Sequence, residues 1–194
     1  MNLIWKGIAL VSHPVFLPLF SIFAYSATLA TYENSAKALA AVWVAFAYVL
    51  LPFLYFRVVR KINLPQPSMD ERRSIYRAYL LINLGFVLVS FYIMPAYIGF
   101  FLGGFLMHVL LLLLAFVELK ASWHTAAWSF VVMTGLMVMY TLGLQDMSGI
   151  VLIPFAIALL VSLARWRVGA HTLFEIGMGA AAGFFGAIPV LFLT

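Results

Sequence analysis

Cysteine is absent from this chain of 194 residues, and charge is scarce. Without a thiol there can be no disulfide and no thiolate metal site, and cysteine usage says nothing of the redox compartment. Charged residues make up 9% of the sequence, against roughly 25% in soluble domains, too few to clothe a water-exposed surface. Acids are scarcer than bases, with 6 Asp and Glu against 11 Lys and Arg. So few carboxylates argue against a metal site, and no cofactor is expected. No polar stretch is long enough for a separate soluble domain. The N-terminal apolar run has no small-residue cleavage site, so it is expected to be retained.

What remains is grease. Hydrophobic residues form 66% of the chain, and the mean hydropathy is +1.12. The expectation is an integral membrane protein, all-α, with residues 1–194 forming one polytopic helical bundle of six or seven spans. The net charge of +5 comes from bases at the membrane edges. It points to topology and an anionic ligand before nucleic acid.

Residues 2–12 look like a short interfacial lead-in, and the N-terminal spans occupy 13–58. The only hydrophilic loop of any length is RVVRKINLPQPSMDERRSIYR, residues 57–77. From Ser74 to Leu119 run 46 residues with almost no charge. As one helix they would measure roughly 69 Å, against a hydrocarbon core of about 30 Å. Two spans must therefore turn near Met94-Pro95-Ala96. KASWH (120–124) interrupts the grease again, a fifth span follows to Leu144, and the turn is QDMSG (145–149). A sixth span ends at Arg165 and a seventh begins near Thr172. On this count the loop ending at Arg77, KASWH and the Arg165–Glu175 stretch all fall on one membrane face, which implies a shared site.

The three clusters have chemistry in common. His171 and Glu175, spaced i, i+4, lie on one side of a helix, where the carboxylate can fix the imidazole tautomer. Thr172 to Glu175 equally fits a capping box, and that alternative stands beside the first. Lys120, Ser122 and His124 at a helix start make an anion cradle, or an interfacial anchor with a snorkelling lysine. Arg72, Arg73 and Arg165 are either edge charges or phosphate clamps, and Ser68 to Glu71 is a second capping box. Taken together, a nucleophilic histidine, an acid histidine and a basic clamp describe phosphoryl transfer through a phosphohistidine.

These residues resemble the type 2 phosphatidic acid phosphatase superfamily, in its compact bacterial branch. Its third motif, S-R-x5-H-x3-D, is matched in spacing by Ala164-Arg165, His171 and Glu175. Its second, P-S-G-H, corresponds to Ala121-Ser122-Trp123-His124, and its first, K-x6-R-P, has a loose counterpart in DERR at 70–73. The resemblance covers residues 68–190. It implies that His171 takes the phosphoryl group with Glu175 orienting it. His124 would protonate the leaving alcohol and then activate water. Ser122, Arg165 and Arg72 or Arg73 would hold the phosphate oxygens without a metal. The first-motif lysine has no counterpart, and Lys120 is the candidate to replace it; Trp123 stands where the motif has Gly.

The site face carries Lys6, Arg57, Arg60, Lys61, Arg77 and Arg167 besides the site cations, against Lys37 alone on the other face. The positive-inside rule puts that face in the cytoplasm, whereas many bacterial members of the family face the periplasm. Aromatic residues, 16% of the chain, suit an acyl or isoprenoid tail. The expected activity is metal-independent hydrolysis of a lipid phosphate or isoprenoid diphosphate in the bacterial inner membrane. A catalytically impaired homologue acting as a binding or assembly subunit of a membrane complex is the alternative, and a small lipid transporter is a third. His108, mid-span, is expected as a hydrogen-bonded interior residue. Gly179 and Gly183 in GMGAAAGFFG are expected to mark close helix packing, within the chain or in a homo-oligomer.

Overall fold

In a computed structural model, the described residues are 2–14, 42, 44–62, 67–93, 95–143 and 149–193. They are helical, with no strand among them. The helices are α1 (Asn2–Val11), α2 (Ala45–Val59), α3 (Met69–Ile93), α4 (Ile98–Phe116), α5 (Trp123–Leu142), α6 (Gly149–Arg167), α7 (Leu173–Gly186) and α8 (Val190–Leu193). Among the described residues, three stretches are long and apolar enough to cross a membrane: α3, α4, and Leu173–Phe192, which takes in α7 and most of α8. Most of the expected first span, its connector with Lys37, and most of the 145–149 turn lie outside the described residues.

One expectation needs correcting. The hydrophilic stretch 57–77 is not a loop to its end, because α3 begins at Met69. Ser68 caps it: the Ser68 N–H donates to Glu71 Oε2 at 2.7 Å, and Glu71 N–H donates back to Ser68 Oγ at 3.3 Å. That reciprocal cap lets a charged first turn be helical. Asp70 through Arg77 are therefore ordered on a helix that extends beyond the apolar run. The turn expected near Pro95 is a single 3₁₀ turn, Pro95–Tyr97, between α3 and α4. Proline also shapes α2, where Pro52 sits in an α-wound turn between wide π-wound segments. It lacks an N–H and crowds the carbonyl four residues back, so a widened winding relieves it.

Helices α3 and α4 pack along their length, α5 packs on α6 and α7, and α1 lies against α6. Many large apolar side chains point outward, among them Leu81, Leu88, Phe91, Ile153 and Leu159, all more than half exposed. That inverted distribution is suited to lipid. Three buried polar side chains satisfy one another: Tyr79 Oη donates to Tyr48 O at 2.9 Å, Asn83 Nδ2 donates to Tyr79 O at 2.7 Å, and Tyr48 Oη donates to Asn83 Oδ1. This ring of bonds ties α2 to α3. His108 is the expected interior residue, 3% exposed, its Nδ1–H donating to Gly104 O at 2.8 Å.

Helices α5 and α7 approach closely. A Cβ on Gly179 would strike the Ser122 backbone, and one on Gly183 would strike Ala126 O and the Phe130 nitrogen. The small-residue spacing thus works within the chain, letting two helix backbones touch. Gly183→Val should destabilise the protein by roughly 2–4 kcal/mol, read as a lower melting temperature in detergent. Gly177, with nothing within 4 Å of an added Cβ, is the control: Gly177→Ala should melt no lower than the parent, since Ala favours the helix. Equal melting of the two variants would sink the close approach.

Candidate active site

The site begins where α6 ends. Gly169 adopts φ 69°, the left-handed conformation that glycine takes without strain, and Ala170 N–H donates to Arg165 O at 3.1 Å. That six-to-one bond closes the helix and turns the chain sharply toward His171. Thr172 then caps α7. Its Oγ1 accepts from Glu175 N–H at 3.2 Å, and its own N–H donates to Glu175 Oε2 at 2.8 Å. The spacing Arg165, five residues, His171, three residues, Glu175 is therefore one helix stop followed by one helix start.

The capping box forms, and it shares Glu175 with His171. Glu175 Oε2 lies 3.5 Å from His171 Nδ1, while Lys120 O lies 3.0 Å from the same nitrogen. A carbonyl only accepts, so Nδ1 carries the proton and Nε2 keeps its lone pair. The direct orienting partner is thus the Lys120 backbone, with the carboxylate a step further off. The two loops are joined again where Ser122 N–H donates to Glu175 O at 3.0 Å.

Cations surround this histidine. Burial, then Arg165, Arg72 and Lys120, push its pKa down to about 3. Burial and the neighbouring Arg72 and Arg165 likewise lower that of Lys120, against an opposing pull from Glu175. Arg72 and Arg165 are 5% and 8% exposed, so the charges act through little water. Arg72 Nε donates to Pro67 O at 3.2 Å, and its guanidinium also contacts Tyr76. Arg165 Nε is buried with no hydrogen-bond partner among the described residues. Buried cations with little counter-charge leave this group short of an anion.

Not every candidate joins the group. Arg73 is turned elsewhere: it pairs with Asp70 at 2.7 Å and with Glu118, and its Nε donates to Ala115 O at 3.1 Å. Adjacent helical residues point about 100° apart, so Arg72 and Arg73 cannot both face His171. Ser122 is fully buried as the α5 cap; its Oγ accepts from Thr125 N–H at 3.4 Å and from Thr125 Oγ1 at 3.0 Å. His124, 7% exposed, lies in the first turn of α5 and meets the ring of His13, 5.0 Å away between centroids. His13 in turn feels the charge of Arg165. Its place beside His124 was not read from the sequence, where it heads an expected span; the signal was a His-Pro pair closing a short amphipathic lead-in. Trp123 turns inward to Tyr76, Tyr79 and His108.

Above the buried group is an open cleft of about 580 Å³, lined by Lys120, Trp166, Gly169, Ala170, His171, Thr172, Leu173 and Glu175. Polar His171 and Lys120 line it beside the exposed apolar Trp166 and Leu173. No three His, Cys, Asp or Glu side chains among the described residues lie close enough together to hold a metal ion.

His171 makes stability depend on pH. In the unfolded chain it takes a proton near pH 6.5, whereas in the fold it stays neutral down to about pH 3. Protons therefore favour the unfolded state between those values. Stability should fall with pH through that window, by up to about 1.4 kcal/mol per unit from this group. Unfolding in detergent at pH 7, 6 and 5 should show the slope, and His171→Gln should flatten it by one proton's worth. An unchanged slope in that variant would place the ionisation elsewhere.

Compared with known proteins, the chain matches no family model, no curated protein and no solved structure, so its functional reading rests on the residues themselves.

Proposed function

We propose that this protein is a metal-independent phosphatase of the bacterial inner membrane, acting on a lipid phosphate or isoprenoid diphosphate through a phosphohistidine. The arrangement around His171 carries the proposal. Its imidazole is held neutral, with Nδ1–H on Lys120 O and Nε2 free to attack, amid Arg72, Lys120 and Arg165. A phosphate would supply the anion these cations call for, and its charge would offset theirs. The motif spacing shared with the type 2 phosphatidic acid phosphatases supports the same chemistry.

In the first step Nε2 attacks phosphorus, the N–P bond forms and the ester P–O bond breaks. His124 gives the departing alkoxide a proton. The imidazole ring becomes cationic, and Glu175 Oε2, 3.5 Å from Nδ1, stabilises that charge. In the second step His124 takes a proton from water, whose oxygen attacks phosphorus as the N–P bond breaks. Arg72 and Arg165 hold the equatorial oxygens, with Lys120 at the mouth. Ser122 acts chiefly by capping α5, which places His124.

The apolar rim favours an amphiphile. Trp166, Leu173 and Phe174 are 44%, 65% and 65% exposed beside the polar cleft, as suits a head group entering while its tail stays in lipid. The count of basic residues favours a cytoplasmic mouth. Trp123, which with the eroded first motif supports an impaired binding subunit, sits in the inner aromatic cluster against Tyr76, Tyr79 and His108. The active reading is therefore preferred.

Purified protein should release phosphate from a panel of lipid phosphates with EDTA present, and His171→Ala should lower the rate by roughly 10³-fold or more. Release abolished by EDTA, or unaffected by the substitution, would refute the mechanism. His124→Gln should slow lipid substrates by about 10²-fold or more. It should spare the initial p-nitrophenol burst from p-nitrophenyl phosphate, whose leaving group departs without a proton, while slowing the later hydrolysis. A burst slowed as much as the lipid reaction would remove His124 from the role of acid.

A further inference from the structure

The N-terminal helix ends against the first turn of α5. Ile8 of α1 packs with Ala127, Trp128 and Val161, between α5 and α6. Trp128 Nε1–H donates to Ser12 O at 3.2 Å, and both residues are buried. Trp128 lies four residues after His124 and so on the same face of α5. That bond therefore fastens Ser12 and His13 onto the face that carries His124. Pro14 is buried just beyond, lining a small cavity with Trp123, Ala127 and Val131. A segment tied at Ser12 and packed at Pro14 leaves His13 little freedom to move.

His13 uses that fixed position to meet two rings. It stands edge-on to His124, with centroids 5.0 Å apart at 81°, and edge-on to Trp123, at 5.8 Å and 81°. Perpendicular aromatic pairs at such distances attract through their quadrupoles and have a preferred orientation. His124 lies in the first helical turn, where the side chain has several rotamers to choose from. We infer that His13 is a positioning residue that holds the His124 imidazole in one orientation by edge-to-face contact, so that α1 completes the site. The role assigned to His124 rests on the phosphatase reading; the contact itself does not.

Two substitutions separate ring packing from nitrogen chemistry. His13→Ala removes the contact, whereas His13→Phe keeps an aromatic edge without nitrogens. With a lipid phosphate that the parent hydrolyses, His13→Ala should lower kcat about tenfold and leave KM within about twofold, because orientation and not binding is lost. His13→Phe should return kcat to within about threefold of the parent. A Phe variant as slow as the Ala variant, or a loss that falls on KM, would overturn the positioning role.

A second readout needs no turnover. The chain has four histidines, so a ¹³C-histidine spectrum of the detergent-solubilised protein has four ring signals, assignable by single substitution. In His13→Ala the His124 signal should shift and broaden while those of His108 and His171 stay in place, which also shows that the fold survives. An unmoved His124 signal would refute the contact whatever the enzymology shows. Should the parent hydrolyse no substrate, the phosphatase reading fails, and this spectrum still decides whether His13 orients His124.

Discussion

The contact between α5 and α7 supports everything else. Where Gly179 and Gly183 face Ser122, Ala126 and Phe130, the helices approach to backbone distance. That approach brings the loop before α5 against the loop before α7. Only then can Lys120 O accept from His171 and Ser122 N–H bond to Glu175 O. In a membrane, where burial of apolar surface gives helices little reason to associate, small residues and such bonds must do the joining. The histidine is placed by helix packing and its tautomer by a main-chain carbonyl, so neither depends on a flexible side chain.

Around that histidine the charge balance is lopsided. Arg72 and Arg165 are buried and Lys120 is partly so, while Glu175 is the nearby acid and its carboxylate already caps a helix. Burying like charges together costs stability, and those charges add to the burial that chiefly lowers the His171 pKa. Such an arrangement is intelligible if an anion shares the site in its working state. Arg73, by contrast, is paired: it meets Asp70 and Glu118, and it lies with Arg77 against Phe116. The contrast between neighbouring arginines, one paired and one pressed toward the site, follows from their angle on one helix.

Some of this was legible in the chain. Scarce charge and long apolar runs gave the helical membrane class, because a hydrocarbon solvent forces backbone groups to pair within a helix. The turn at Pro95, both capping boxes and the tight packing of Gly179 and Gly183 are local or periodic signals, and each formed. The stretch was read as loop as far as Arg77, although the Ser68 box already marked a helix start, because Asp70 to Ser74 are polar. Their polarity reports what they face and leaves backbone conformation to the Ser68 cap.

By itself the sequence determined composition, helix periods and the i, i+4 placement of His171 and Glu175, since these depend on neighbours along the chain. Tertiary structure alone decided that Lys120 O and not Glu175 makes the direct bond to His171, that the charge of Arg72 and not that of Arg73 acts on it, and that His13 meets His124. Each is a choice between partners of similar chemistry, distant in sequence. Helix packing makes that choice, because it fixes distance and angle to tenths of an ångström where residue type fixes only what a side chain can do.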